Sequence, residues 1–594
     1  MTTVAESIVS GLGELGVHAV WGVVGDALNP VTDAIRRDDR LRWVGVRHEE
    51  VAAFAASAQA QLTGTIGVCM GTVGPGAIHL LNGLYDAAKS HAPVLAICGQ
   101  VPLSEAGSSY FQEVDNDLLF ADVAVFRATI TAPSQMPRLL EQAVNAAYAG
   151  PGVAVLSLPG DVGDLALPID RDARFVTLRP ALVASDAQLA EAVRRIDGGG
   201  AVTILAGHGA IGDKRALMAL ADRLAAPMVL TLKAKEGLED DNPFEVGQSG
   251  LIGNPASKVA FDGADVLLML GTDFPYPDWL PAAAVTIQVD RDATHIGRRT
   301  SVDLGIAADV APTIAALLDR VGPKPDRSHL DAARNRYLRW GADQHALVDP
   351  DSPATSITGR LTAQARAAVE NRSGRVRPEA VAAAIDRLAD PDAVITTDTG
   401  MSTVWVSRFV RMSGTRRLIG SYNLGSMANA MPHALGAQAL HRDRQVVACC
   451  GDGGLTMLLG DLLTAVAEDL PIKIVVFDNG RLGMVKLEQE QAGLPEYGTT
   501  LSNPDLAAVA RAMGLHGLRV EAIEELEPAL RAAFAHPGPV LVDVLTNPDE
   551  VALPPETTMR DAWGFAIAKL KETLMSHGST ADDATEVLRE GGAD

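Results

Sequence analysis

Aromatic residues make up only 4% of this chain, and cysteines number four in 594 residues. With so few rings, the cores must be built from Ala, Val, Leu and Ile, which the 47% hydrophobic content supplies. The four cysteines, Cys69, Cys98, Cys449 and Cys450, each lie in an apolar, strand-like run without metal-ligand spacing. That argues against a disulfide scaffold and a zinc site, and fits a reduced, cytoplasmic protein with buried thiols. Positive charge is also short. The 50 Lys and Arg against 74 Asp and Glu leave a net charge of −24. Such a balance opposes nucleic acid or a strongly anionic membrane face as a partner, because both need clustered cations. No apolar run reaches the roughly 18 residues of a membrane span. The N-terminus, Met1-Thr2-Thr3-Val4-Ala5-Glu6, lacks the basic and apolar regions of a signal peptide.

Three stretches alternate apolar runs with helical patterns. This predicts an α/β chain of three doubly wound parallel-sheet domains. The first, residues 1–180, has strand-like Ala19–Val23, Ile66–Met70, Val94–Cys98 and Val153–Leu158. The second, 183–345, has Ala201–Ala206, Pro227–Leu232, Val266–Leu270 and Val285–Val289. The third spans 376–550. Residues 346–375 read as a polar linker with a short helix over Gly359–Val369. Residues 551–594 read as a tail with an amphipathic helix over Trp563–Leu574.

The most informative spacing lies in the third stretch. Gly451-Asp452-Gly453-Gly454 ends the apolar run Gln445–Cys450, and a helical pattern follows over Leu455–Leu470. A second apolar run, Ile472–Phe477, leads into Asp478-Asn479-Gly480, so Asn479 falls 27 residues after Asp452. A carboxylate and a carboxamide at the C-terminal ends of two parallel strands sit where open sheets bind ligands. With glycine amides beside them they suit Mg2+ holding a diphosphate, although each alone is also an ordinary turn. In the first stretch Arg47-His48-Glu49-Glu50 precedes an Ala-rich run. It reads equally as a helix N-terminus or as a catalytic carboxylate. The glycine loop Gly71-Thr72-Val73-Gly74-Pro75-Gly76 follows a strand and permits either a tight turn or close approach of a ligand.

The spacing of Asp452 and Asn479 resembles the signature of thiamine diphosphate (ThDP) enzymes. That resemblance implies Mg2+ bound by Asp452, Asn479 and the backbone carbonyl of Arg481, with Gly453 and Gly454 facing the diphosphate. It implies that Glu49 shares a proton with the aminopyrimidine, so that the cofactor's own 4′ nitrogen takes the C2 proton. Met427 would wedge under the bent cofactor, and the Gly425 carbonyl, one residue before Ser426, would accept from its 4′ amino group. Pro75 and Asn82 would lie near the aminopyrimidine, and Gly480, Leu482, Gly483, Met484 and Val485 would continue the cofactor loop. Phe111 and Gln112 match a loop over the thiazolium that contacts substrate. The resemblance further implies a homo-oligomer, a tetramer for preference, with Glu49 and Asp452 of one site in different chains.

The middle stretch lacks the full G-x-G-x-x-G fingerprint, keeping only Gly207 and Gly209. Even so, Ser249-Gly250-Leu251-Ile252, Thr272-Asp273-Phe274-Pro275-Tyr276 and Asp290 resemble flavin-binding segments of bacterial pyruvate oxidases and quinone-linked pyruvate dehydrogenases. Asp309 and Val310 would lie toward the adenine. This narrower resemblance covers nearly the whole chain. It implies FAD beside ThDP and Mg2+, and oxidative decarboxylation of pyruvate or a similar small 2-keto acid to CO2 and acetate or acetyl phosphate. Electrons would pass to a quinone or to oxygen. Met484 stands where pyruvate oxidases usually have Phe and is similar to acetolactate synthases, whereas Glu488 replaces the Trp with which synthases select a larger second substrate. Condensation of two 2-keto acids with a non-redox FAD is therefore the alternative, and an inactive ThDP-fold scaffold, opposed by intact Glu49, Asp452 and Asn479, the remote one. The quinone-linked branch implies a weak peripheral contact with the inner face of the membrane, which the acidic end Thr580–Glu590 opposes.

Overall fold

The computed structural model describes residues 2–168, 173–175, 181–349 and 374–549. The predicted helices over 359–369 and 563–574 lie outside the described residues. The first sheet is built from β1 Ala19–Gly22, β2 Arg42–Gly45, β3 Gly67–Gly71, β4 Val94–Gln100, β5 Ala124–Thr129 and β6 Val153–Pro159. The second has β7 Val202–Ala206, β8 Met228–Leu230, β9 Glu245–Gln248, β10 Val266–Leu270, β11 Val285–Asp290 and β12 Leu304–Ala307. The third has β13 Val394–Thr397, β14 Arg417–Gly420, β15 Val446–Gly451, β16 Lys473–Asp478, β17 His516–Val520 and β18 Val540–Leu545. All strand pairs within these sheets are parallel. Helices cover both faces, which explains why a central strand such as Val446–Cys450 is apolar and buried at every residue.

Strand order separates the sheets by kind. The outer two run β2-β1-β3-β4-β6-β5 and β14-β13-β15-β16-β18-β17, the same order twice. The middle sheet runs β9-β8-β7-β10-β11-β12, the 3-2-1-4-5-6 order of dinucleotide-binding folds.

The first and third sheets meet through helices. Helix Glu49–Thr63 packs on helix Ala430–Leu440, and at Gly436 a Cβ would stand 2.3 Å from the Ala55 carbonyl oxygen. In the same seam Asp86 accepts from Ser57 Oγ at 3.1 Å and pairs with His433 Nε2 at 3.1 Å, with both side chains fully buried. The expected single helix over Leu455–Leu470 is instead broken into Asp452–Met457, a turn over Leu459–Asp461, and Leu462–Ala467. Asp461 accounts for the break. Its Oδ1 accepts from Arg47 N at 2.8 Å and Thr464 Oγ1 at 2.7 Å, spending the side chain on the first sheet and on the new helix start.

Candidate active site

Strands β13, β15 and β16 bring Asp398, Asp452 and Asp478 to the same edge of the third sheet. Asp452 is buried, and its Oδ2 accepts from Gly480 N at 3.0 Å and Asn503 Nδ2 at 2.6 Å. The same Asn503 amide reaches Asp478 Oδ1 at 2.9 Å. Burial, with Asp478 alongside, pushes the Asp452 carboxyl up to about 7. Two carboxylates converging on one amide form a donor set of hard oxygens, which suits a divalent cation. Asn479 Oδ1 accepts from Arg481 N at 2.9 Å, and the Arg481 guanidinium turns away to Glu496 at 2.8 Å. Leu482 N→Thr499 O (2.8 Å) and Leu501 N→Gly480 O (2.9 Å) tie this loop down.

The two glycines that follow Asp452 are packed too closely for a side chain. A Cβ on Gly453 would come within 3.0 Å of Leu482 Cδ2 and 3.3 Å of Met427 Cε, and one on Gly454 within 2.2 Å of Asp398 Oδ2. That Asp398 oxygen is buried without a hydrogen-bond partner, and burial pushes the carboxyl up to about 7. Met427 lies in a loop, since its helix begins only at Ala430. Buried Asn429 shapes the loop by donating to Ser426 O at 2.7 Å and accepting from Ser421 N at 3.2 Å. Gly425 and Ala428 adopt positive φ, 79° and 63°.

On the first sheet, Glu49 opens helix Glu49–Thr63 with its side chain 9% exposed, and its Oε2 lies 2.9 Å from His79 Nδ1. Glu50 Oε1 takes Asn82 Nδ2 at 2.7 Å, and Asn82 reaches across to Ser426 Oγ at 2.9 Å. The first and third sheets thus touch within one chain through this bond, the helix seam at Gly436 and the Arg47–Asp461 bond. Pro75 is exposed at the start of helix Pro75–His79. Exposed Gln112 backs onto Gly74, where a Cβ would meet its carbonyl at 2.6 Å, and Phe111 is 79% exposed. Glu488 and Val485 share the exposed face of helix Gly483–Gln491, while Met484 packs in part against the third sheet's core.

In the middle sheet the chain reverses between β7 and β10, where open sheets bind ligands. Gly207 and Gly209 meet Gly271 there, since a Cβ on Gly207 would lie 2.2 Å from the Gly271 carbonyl oxygen. Two donors at the end of β9, Gln248 Nε2 and Ser249 Oγ, are buried and unpartnered, which suits a bound group. Gly250 has φ 84° and faces Phe274 and Tyr276, which pack edge to face at 5.5 Å. Leu251 and Pro275 are exposed, and Ile252 leans on the third sheet's core. Thr272 Oγ1 accepts from Phe274 N, and Asp273 pairs with Arg298 at 3.2 Å. Asp290 ends β11, accepting from Asp292 N at 2.8 Å with His295 Nδ1 3.3 Å away. The two oxygens of Asp309 accept from Leu182 N (2.9 Å) and Arg291 Nη1 (2.5 Å), pinning the incoming chain, and Val310 is buried.

Comparison with known proteins agrees with this layout. Residues 2–119 match the N-terminal TPP binding domain of thiamine pyrophosphate enzymes, 189–317 the central domain, and 398–544 the C-terminal TPP binding domain. YdaP of Bacillus subtilis, whose name describes a thiamine pyrophosphate-containing protein without giving a reaction, is 39% identical over 96% of both chains. The chain belongs to the thiamine pyrophosphate enzyme family. Within it, a pyruvate oxidase of Lactiplantibacillus plantarum is 31% identical over 94% of this chain and 90% of its own. An acetolactate synthase of Mycobacterium bovis is 30% identical over 93% and 89%.

Four residues beside the candidate site groups, Asp398, Asn503, Asp461 and His79, are not among those the sequence singles out. Asp398 ends an apolar run as Asp452 does, so its position was a usable signal. Asn503, Asp461 and His79 act across distances of 25 residues or more in the chain and carry no local signature.

Proposed function

We propose that the protein oxidatively decarboxylates pyruvate, or a similarly small 2-keto acid, using ThDP, Mg2+ and FAD. The products are CO2 and acetate or acetyl phosphate, with a quinone or oxygen as electron acceptor. When bound, ThDP supplies the carbon that holds the electrons left behind by CO2, and FAD takes them on. The chain's own share is positional. Asp452, Asn479 and the Arg481 carbonyl hold the cation and, through it, the diphosphate. Glu49, almost wholly buried, holds a proton at the aminopyrimidine N1′, while the Gly425–Met427 loop fixes the cofactor's bend. Phe111 and Gln112 cover the reacting end. The dinucleotide-type order of the middle sheet, its glycine contact and the orphaned Gln248 and Ser249 donors support FAD. A homo-oligomer, a tetramer for preference, and a cytoplasmic location belong to the same reading. Among the described residues, no helix is long and apolar enough to cross a membrane.

The observation that carries oxidation over condensation is Glu488, a carboxylate on the exposed face of the helix that leaves the Asn479 loop. An anion there disfavours a second keto acid, itself an anion. Met484 favours the second reading, acetolactate-type condensation. Two substitutions separate them. Glu488→Ala should slow flavin reduction at least tenfold, about 1.4 kcal/mol. Glu488→Trp should slow it too and divert product toward acetolactate. Wild-type stopped-flow rates in both variants would leave Glu488 as a solvated helix residue and remove this support.

A further inference from the structure

We propose that His79 is the positioning residue for the Glu49 carboxylate, holding one of its oxygens so that the other is presented to the cofactor. The inference rests on the ThDP reading above and adds to it a residue that the reading does not use. Glu49 is bracketed on both sides. Its Oε2 lies 2.9 Å from His79 Nδ1, and its Oε1 lies 3.2 Å from where a Cβ on Gly76, in the glycine loop, would stand. His79 is held in turn. Its ring stacks on His48, with centroids 4.4 Å apart and planes 24° from parallel. His48 is the N-cap of the Glu49 helix, and its Nδ1 accepts from Glu50 N at 3.2 Å. The polar groups of His48, Glu49 and His79 all lie within 4.8 Å of one another. Cap, stacked rings and carboxylate thus form a closed circuit between the start of one helix and the end of the short helix Pro75–His79.

The partners fix the tautomers. His48 Nδ1 accepts, so its neutral ring carries the proton on Nε2. His79 Nδ1 faces a carboxylate and is the donor there. A carboxylate that accepts on Oε2 keeps its rotamer, because turning would leave a nearly buried carboxylate without that donor. The neighbouring polar groups are engaged elsewhere. Glu50 bonds Asn82, and Asp461 accepts from Arg47 N and Thr464. His79, with its side chain 44% exposed, is therefore the link between the open cleft and Glu49.

The test reads the cofactor and not turnover alone. The C2–H exchange rate of bound ThDP is measured by acid quench and proton NMR, and ThDP affinity in Mg2+ by calorimetry, for wild type, His79→Ala and His79→Asn. Asn places an amide donor near the position of Nδ1. We expect exchange to fall about tenfold or more in His79→Ala, affinity to stay within about threefold, and His79→Asn to recover most of the rate. Exchange in His79→Ala within about twofold of wild type, with ThDP bound, would overturn the inference while leaving the ThDP reading intact. Equal loss in both variants would also overturn it, since a mere packing role does not distinguish a donor from none. Wild-type protein that binds no ThDP would overturn the underlying reading instead.

Discussion

In the proposed reaction Glu49 carries the heaviest chemical demand on a single side chain. There it must stay close to dry, keep one oxygen free, and trade a proton with a ring nitrogen. Its burial at the first turn of helix Glu49–Thr63 meets the first need, and the His79 contact bears on the second. Glu49→Gln preserves shape and an acceptor oxygen but cannot take the proton. It should leave folding and ThDP affinity near wild type and lower C2–H exchange and turnover by roughly a hundredfold to ten-thousandfold. Unchanged turnover with ThDP bound would take Glu49 out of the chemistry. At this scale the sequence was most readable where function and a chain signal coincide. Asp452 and Asn479 each close an apolar run and sit beside glycine. Asn503, which joins Asp452 to Asp478, sits in Ser502-Asn503-Pro504-Asp505, a stretch that reads as a turn and nothing more.

Among elements, the seam between helices Glu49–Thr63 and Ala430–Leu440 sets how the first and third sheets meet within the chain. Gly436 permits it. Replacing glycine by alanine inside a helix ordinarily gains up to about 1 kcal/mol in propensity. Here the new Cβ would stand 2.3 Å from the backbone oxygen of Ala55, which cannot rotate aside. The clash, about 1–3 kcal/mol, wins. Gly436→Ala should lower the thermal midpoint and weaken ThDP binding together, and a raised midpoint would show that the seam is looser than described. Element legibility follows position in the sheet. The strands named from sequence are interior ones with continuous apolar runs. The six edge strands, β2, β5, β9, β12, β14 and β17, were passed over. Several are short or half-exposed, as in β5, whose outward residues alternate with partly buried ones, so their apolar pattern is broken. The helix over 455–470 was overextended because its break depends on Asp461 bonding Arg47, far away in sequence.

For the molecule as a whole, three sheets of one parallel architecture were legible from alternation alone, but the dinucleotide-type order of the middle sheet was not, since strand order is a tertiary fact. The same scale governs pH response. Burial pushes Asp398, Asp452 and Glu245 up to about 7 and Asp543 to about 6. Each keeps a proton in the folded state that the unfolded chain releases near its ordinary value of about 4. Folding is then favoured at acid pH and loses stability as pH rises from about 4 to about 7. Metal-free protein should melt higher at pH 5.5 than at pH 8, and Mg2+ with ThDP should recover stability at pH 8 by favouring the ionised Asp452. A midpoint that rises with pH in the metal-free protein would contradict the buried-acid account.

The central claim is that a keto acid activated at the Glu49–Asp452 cleft delivers its electrons to a flavin on the middle sheet. Purified protein with ThDP and Mg2+, mixed anaerobically with pyruvate, tests it directly through the flavin absorbance and the products. The account predicts bleaching of the bound flavin with release of CO2 and acetate or acetyl phosphate. An unbleached flavin with accumulating acetolactate would contradict it.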